Sequence, residues 1–236
     1  MKTLVENTPL LDFNHPSLQQ LIDQRGWKNL SVKDQIQSIY HFVRDEIVFG
    51  YNVDDALPAS TILKDGYGQC NTKSTLLMAL LRGVGIPCRL HGFTIHKALQ
   101  KGAITGIWYL LSPTSILHTW VEVEYKGKWN HLEGVILDRD YLAQLQRCFG
   151  AQPGEFCGYG AYTEDLTNPE IDWAENNTYI QAKGINADFG LFNSPDEFYQ
   201  IHKQALNPIR GWIFRNIARH SMNANVQKIR AGRLRK

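Results

Sequence analysis

Apolar and polar positions change their rhythm several times along this 236-residue chain. From Ser31 to about Val48, the residues Ile36, Ile39, Tyr40, Phe42, Val43 and Ile47 recur at the spacing of an amphipathic helix. Ser31 is placed to cap it, with Asp34 three residues on in a capping-box position. From Asn71 to Leu81 the chain is apolar almost all round, the signature of a helix buried on every side. Gly83 is the expected C′ residue of that helix, and Ile86 to Phe93 predicts a strand. Leu117 to Tyr125 then alternates with period two, Lys126-Gly127 supplies a turn, and Lys128 to Glu133 returns as the second arm of a hairpin.

The flanks carry weaker patterns. Leu10 to Gln24 suggests a first helix with Pro16 near its first turn, and Asp54 to Pro58 reads as a solvated turn. Lys97 to Ile104 is compatible with a helix, and Ile107 to Leu111 with an extra strand or a lid. Asp138 is placed to cap a helix over Tyr141 to Arg147. Phe149 to Asn193, rich in Gly, Asn, Pro and aromatics, shows no sustained period and reads as an irregular cover. Ser194 with Glu197 starts a helix, which Pro208 ends or kinks. A last basic helix spans Arg210 to about His220, with a frayed end beyond.

Composition narrows the class. A hydrophobic fraction of 43% with 20% charged residues fits a globular chain that buries a sizeable core. No apolar run approaches the length of a membrane span, and Met1 to Asn7 lacks the apolar stretch of a signal peptide, so the expected location is cytoplasmic. The four cysteines form no CxxC pair, which argues against a zinc knuckle, and without a secretion signal disulfides are not expected.

Charge divides the chain. Residues 1–200 carry 16 Lys and Arg against 23 Asp and Glu, whereas 201–236 carry 9 Lys and Arg and no acid. The expected organisation is a catalytic unit over 1–200, with its core at about 31–148, followed by a basic helical tail over 201–236. Docking of the tail on the acidic body is its simplest role. A second role is contact of residues 210–220 with a membrane surface, with Trp212, Ile213, Phe214 and Ile217 set against Arg210, Arg215 and Arg219. Specific nucleic-acid binding is not expected, because no recognition motif accompanies the charge. No signal speaks to the oligomeric state.

Candidate chemistry lies between the buried helix and the hairpin. Cys70 follows Gly66, Gly68 and Gln69 in a glycine loop read as flexible, at the helix start. Unpaired N–H groups and the positive end of the dipole favour a thiolate there. Turn geometry pairs Tyr125 with Lys128, Glu124 with Trp129, Glu122 with His131 and Trp120 with Glu133. His118 and Glu133 are then diagonal neighbours on one face, about 7 Å apart at Cβ. A carboxylate that orients an imidazole makes a general base. Asp138 falls on the opposite parity. Trp120 and Trp129 read as sheet packing, His131 as structural, and Cys88 as core.

These residues resemble a known family. Gly68-Gln69-Cys70 with Leu81-Arg82-Gly83-Val84-Gly85-Ile86-Pro87-Cys88-Arg89, and His118-Thr119-Trp120-Val121-Glu122-Val123 with Gly127 to Glu133, are similar to the transglutaminase-like superfamily of transglutaminases, cysteine proteases and peptide N-glycanases. The resemblance implies an α+β fold, with a papain-like core of one buried helix packed on an antiparallel sheet and extra helices at both ends. It implies Cys70 as nucleophile, His118 as base and Glu133 as third member. The chemistry implied is acyl transfer through a thioester on peptide or glutamine amides of a protein or peptide substrate, with no metal or cofactor. Gln69 and Trp120 are the candidates for substrate binding or the oxyanion hole, beside the Cys70 N–H. Glu133 stands where the family usually has Asp, and the upstream aromatic oxyanion donor of classical transglutaminases has no assignable counterpart. The alternative is a catalytically inactive member that serves as a binding module, its basic tail docking a partner or a membrane surface.

Overall fold

The computed structural model describes residues 2–151, 154–204 and 207–234. The parts of the predicted cover at 152–153 and of the predicted tail at 205–206 and 235–236 lie outside the described residues. Pro16 opens the first helix, α1 (Pro16–Gln24), with the His15 side chain as its cap. Ser31 Oγ accepts from the Asp34 N–H and starts α2 (Val32–His41), which runs on through one π turn, Phe42–Glu46. A helix absent from the sequence reading, α3 (Ala59–Asp65), follows the 54–58 turn. The buried helix is α4 (Cys70–Gly83). Gly83 lies inside it; Val84 is the C-cap, and Gly85, at φ +85°, takes the left-handed C′ position predicted for Gly83.

Two short strands, β1 (Val48–Phe49) and β2 (Tyr67–Gly68), pair in parallel just before α4. The glycine stretch predicted as a flexible loop is therefore held by ladder bonds, Val48 N–H to Gly66 O and Gly50 N–H to Gly68 O. The main sheet contains β3 (Cys88–His96), the hairpin β4 (Ser115–Tyr125) and β5 (Lys128–His131), and, at its other edge, β8 (Ile185–Phe192). Its order is β5-β4-β3-β8, antiparallel throughout. Two three-residue strands, β6 (Phe156–Gly158) and β7 (Ala161–Thr163), form a separate small hairpin. The predicted irregular cover thus contains three strands. β8 escaped detection because none of its residues is fully buried, so only a short alternation of half-buried and exposed positions marks it, and its pairing with β3 shifts register twice.

Helix α4 lies on the sheet, with Ser74 Oγ donating to Thr119 O and Asn71 Nδ2 to Leu117 O. Every residue from Cys70 to Arg82 is buried, and each leucine among them contributes roughly 1.5–3 kcal/mol. Polar residues are buried with them, Lys73 and Arg82 carrying charge: burial lowers the Lys73 pKa to about 7, and its Nζ donates to Arg44 O and Ile136 O.

Residues 106–111, read as a strand or lid, form α5 (Gly106–Leu111), a short helix with no fully buried residue. Asp138 caps α6 (Arg139–Phe149) and Ser194 caps α7 (Pro195–Ile201), both as predicted. Pro208 neither ends nor kinks α7, which stops at Ile201; it opens α8 (Pro208–Ile213) at a position that needs no N–H. A second π turn, Phe214–Ala218, leads into α9 (Arg219–Arg230). The predicted fraying after His220 does not occur. Met222, Val226 and Ile229 are buried, and Arg230 closes on Asp138. No helix among the described residues is long and apolar enough to cross a membrane.

Candidate active site

Cys70 is the first residue of α4, and the segment before it is pinned from both sides. A Cβ on Gly68 would stand 2.7 Å from Thr72 Oγ1 and 2.9 Å from Lys73 Cγ, so glycine alone lets β2 approach the helix this closely. Gln69 is the N-cap, its backbone N–H donating to Thr72 Oγ1. Its side chain is fully engaged in the loop: Oε1 accepts from the Asn52 N–H at 2.8 Å, and Nε2 donates to Asp55 Oδ1 at 2.9 Å. The Cys70 side chain is 7% exposed, and that exposure opens onto a cleft of about 510 Å³.

The hairpin register is the predicted one at three pairs, Tyr125 with Lys128, Glu124 with Trp129 and Glu122 with His131. The fourth, Trp120 with Glu133, does not form, because β5 ends at His131 and Glu133 enters a 3₁₀ turn. The Glu133 side chain nevertheless reaches the imidazole, with His118 Nε2 and Glu133 Oε1 2.8 Å apart. An ionised carboxylate only accepts, so Nε2 carries the proton. The other Glu133 oxygen accepts three backbone N–H groups, from Ile180, Gln181 and Ala182, at 2.8, 2.9 and 3.0 Å. His118 and Glu133 are both fully buried.

His118 Nδ1 is buried with no hydrogen-bond partner, and the Cys70 thiol lies 3.7 Å from Asn71 Oδ1 and 4.0 Å from the carbonyl of Leu117, the residue before His118. Burial works against an imidazolium here. The Cys70 charge and the Glu133 carboxylate outweigh it and raise His118 to about 10.

Trp120 stands beside His118 but is not among the residues that line the cleft. It is packed against His91, Phe93 and His131, with its indole N–H buried and unpartnered. His131 bonds Tyr179 and lies 3.4 Å from Glu122. Cys88 is core, its thiol against Met78 O. The four cysteines are free. Asp55 is not a freely solvated turn residue: burial raises its carboxyl from the ordinary value, and it lines the cleft near Cys70. Among the described residues, no group of three His, Cys, Asp or Glu is placed to hold a metal ion.

The sequence reading missed Tyr51 and Gln100. Both line the cleft, and the Tyr51 hydroxyl donates to Gln100 Oε1 at 2.8 Å. Burial first, and then the Cys70 charge, raise the Tyr51 pKa. Tyr51 is held in place by Asn223 of α9, which accepts the Tyr51 N–H and donates to the Tyr51 carbonyl. The segment predicted as a tail is therefore a wall of the site, with Ile213, Phe214 and Met222 facing Trp108 and Leu111 from the α5 side.

Residues 20–134 match the family model of the transglutaminase-like superfamily. Among solved structures, the chain is similar to a proposed cysteine protease from Cytophaga hutchinsonii, at 12% identity over 82% of this chain and 47% of that one, with a TM-score of 0.47. It is similar to red sea bream transglutaminase at 18% identity over 42% of this chain and 21% of that one, with a TM-score of 0.30. A proposed protease from Parabacteroides distasonis aligns at 14% identity over 71% and 31% of the two chains, with a TM-score of 0.36. The chain spans less than half the length of each of these structures. No curated protein matches the chain at a significant level.

Proposed function

We propose that the protein is a cysteine-dependent acyl-transfer enzyme acting on peptide or glutamine amides of a protein or peptide substrate. One observation carries the reading: a thiol at a helix N-terminus opens onto a cleft and lies against the Leu117 carbonyl, next in the chain to an imidazole that a buried carboxylate holds at 2.8 Å. The Cys70 thiolate attacks the amide carbonyl, forming a C–S bond and placing negative charge on oxygen. The Cys70 N–H and the positive end of α4 stabilise that charge. His118 donates its proton to the nitrogen as the C–N bond breaks, leaving a thioester and a free amine or ammonia. Water or an amine then attacks the thioester, with His118 taking its proton and the thiolate leaving. Glu133 stays ionised throughout and holds the ring in one orientation. We place this activity in the cytoplasm, where a nucleophilic thiol stays reduced.

The test is turnover of a reporter amide, with a labelled amine present to separate transfer from hydrolysis. Cys70→Ala is expected to abolish both while circular dichroism is unchanged; residual turnover in that variant overturns the reading. A second reading is a non-catalytic binding module, favoured by the complete burial of His118 and Glu133. Tight binding of a peptide by the native protein and Cys70→Ala alike, with no turnover by either, supports it.

A further inference from the structure

Large apolar side chains are exposed on both sides of the cleft mouth. On α5, Ile107 and Leu110 are 56% and 72% exposed; on α8, Ile209 and Trp212 are 71% and 56% exposed. Other residues of the same two helices, Leu111 of α5 and Ile213 of α8, line the cleft, so the exposed groups flank one opening. Isolated exposed apolar residues need no explanation, but two short helices presenting them around one opening form a candidate contact surface.

The charges beside them select the partner. The stretch from 105 to 115 has no charged residue, and 201–236 has nine cations and no acid. Lys203, Arg210 and Arg215 stand on the cleft wall. Of the two acids there, Asp55 is taken up by Gln69, leaving Asp54. The rest of the chain, 1–200, is net acidic. An anionic surface therefore attracts this end of the molecule and repels the remainder, which fixes the orientation of approach.

We infer that the rim formed by α5 and α8 docks on an anionic lipid bilayer, with Leu110, Ile209 and Trp212 inserted among the headgroups and Arg210 and Arg215 paired with lipid phosphates. Interfacial helices bind in this way, with apolar area and basic charge acting together, and Trp favours the headgroup level. The cleft mouth then opens onto the bilayer, so a substrate amide is taken from a membrane-associated protein. The docking surface itself does not depend on the chemistry of Cys70.

The test is co-sedimentation of the full chain with large vesicles. Vesicles of phosphatidylcholine with about 30% phosphatidylserine are expected to bind it at least about tenfold more tightly than pure phosphatidylcholine vesicles, with affinity falling as salt rises. Arg210→Glu with Arg215→Glu is expected to remove that preference. Leu110→Ser with Trp212→Ser, both at exposed positions, is expected to weaken binding at every salt concentration. In the native protein, bromine-labelled lipid is expected to quench tryptophan fluorescence, and Trp212→Phe to remove most of that quenching. Absence of vesicle binding by the native protein overturns the inference, as does binding that both double variants retain. Self-association in solution that Leu110→Ser with Trp212→Ser abolishes, without vesicle binding, also overturns it and makes the rim an interface between copies. Cys70→Ala is expected to bind vesicles like the native protein, so a failure of the catalytic reading leaves this measurement intact.

Discussion

Two buried carboxylates, Glu133 and Asp138, lie five residues apart and do opposite jobs. Both have their oxygens filled by N–H donors. Glu133 accepts three backbone N–H groups on one oxygen and the His118 imidazole on the other. Asp138 accepts the Phe49 and Tyr141 N–H groups and the Arg230 guanidinium. The first is committed to the His118 ring, the second to a cation that anchors a helix. What distinguishes them is the element each leaves from, a 3₁₀ turn at Glu133 and the N-cap of α6 at Asp138, and what the rest of the chain delivers to it.

That contrast is open to direct attack. In order of expected size, Glu133→Gln comes first. An amide in place of the carboxylate holds the wrong tautomer and removes the charge that supports the imidazolium. Turnover is expected to fall by about 10⁴-fold on the precedent of buried triad carboxylates, read as kcat in a reporter assay. Glu133→Asp restores the charge but shortens the reach by one methylene, and a loss of about 100-fold is expected. An unchanged rate in either variant would sink the role given to Glu133.

Asp138→Asn is expected to leave kcat within a few-fold and to cost about 3–5 kcal/mol of stability, the usual penalty for stranding one charge of a buried pair. Urea denaturation reads this directly. If kcat instead falls as far as in Glu133→Gln, the division of labour is wrong. The same pair gives a pH signature. Burial alone raises the Asp138 carboxyl, but Arg230 and the Phe49 N–H outweigh it and hold the carboxyl below its ordinary value. The stability it contributes is present above the unfolded value of about 3.9 and is lost as pH falls through the lower folded value. Asp138→Asn is expected to flatten the decline in stability below about pH 4, and an unflattened acid limb would count against the pair.

The smallest effect concerns labelling. In the proposed mechanism Cys70 reacts as a thiolate, so its alkylation by iodoacetamide is expected to change by less than about threefold between pH 7 and pH 9. A free thiol with a pKa of about 8.5 would change by about 25-fold over that range. Labelling that follows the free-thiol curve breaks the thiolate–imidazolium description.

Much of this site was legible in the sequence because its signals are local. The two-residue turn at Lys126-Gly127 fixes which residues face each other, and that register carries His118 to Glu133 even though the ladder stops at His131. The caps at Ser31, Asp138 and Ser194 are legible for the same reason, a short side chain two or three residues from its N–H. The parts that were missed depend on distant partners. Asn223 reaches Tyr51 across 172 positions, and Arg230 reaches Asp138 across 92. A basic run carries no mark of the one carboxylate it will find. Nor does α5 announce itself, because apolar residues left in solvent follow no period set by a core.

The three N–H groups on Glu133 come from residues 180–182, and the clasp on Tyr51 comes from residue 223. A chain emerging from the ribosome can already carry Cys70, His118 and Glu133, yet lack the three N–H groups that hold Glu133 and the clasp on Tyr51. These contacts have high sequence separation and form late. Synthesis therefore imposes its own delay: the surroundings of Cys70 are complete only once the later segments have folded back onto the helix that bears it.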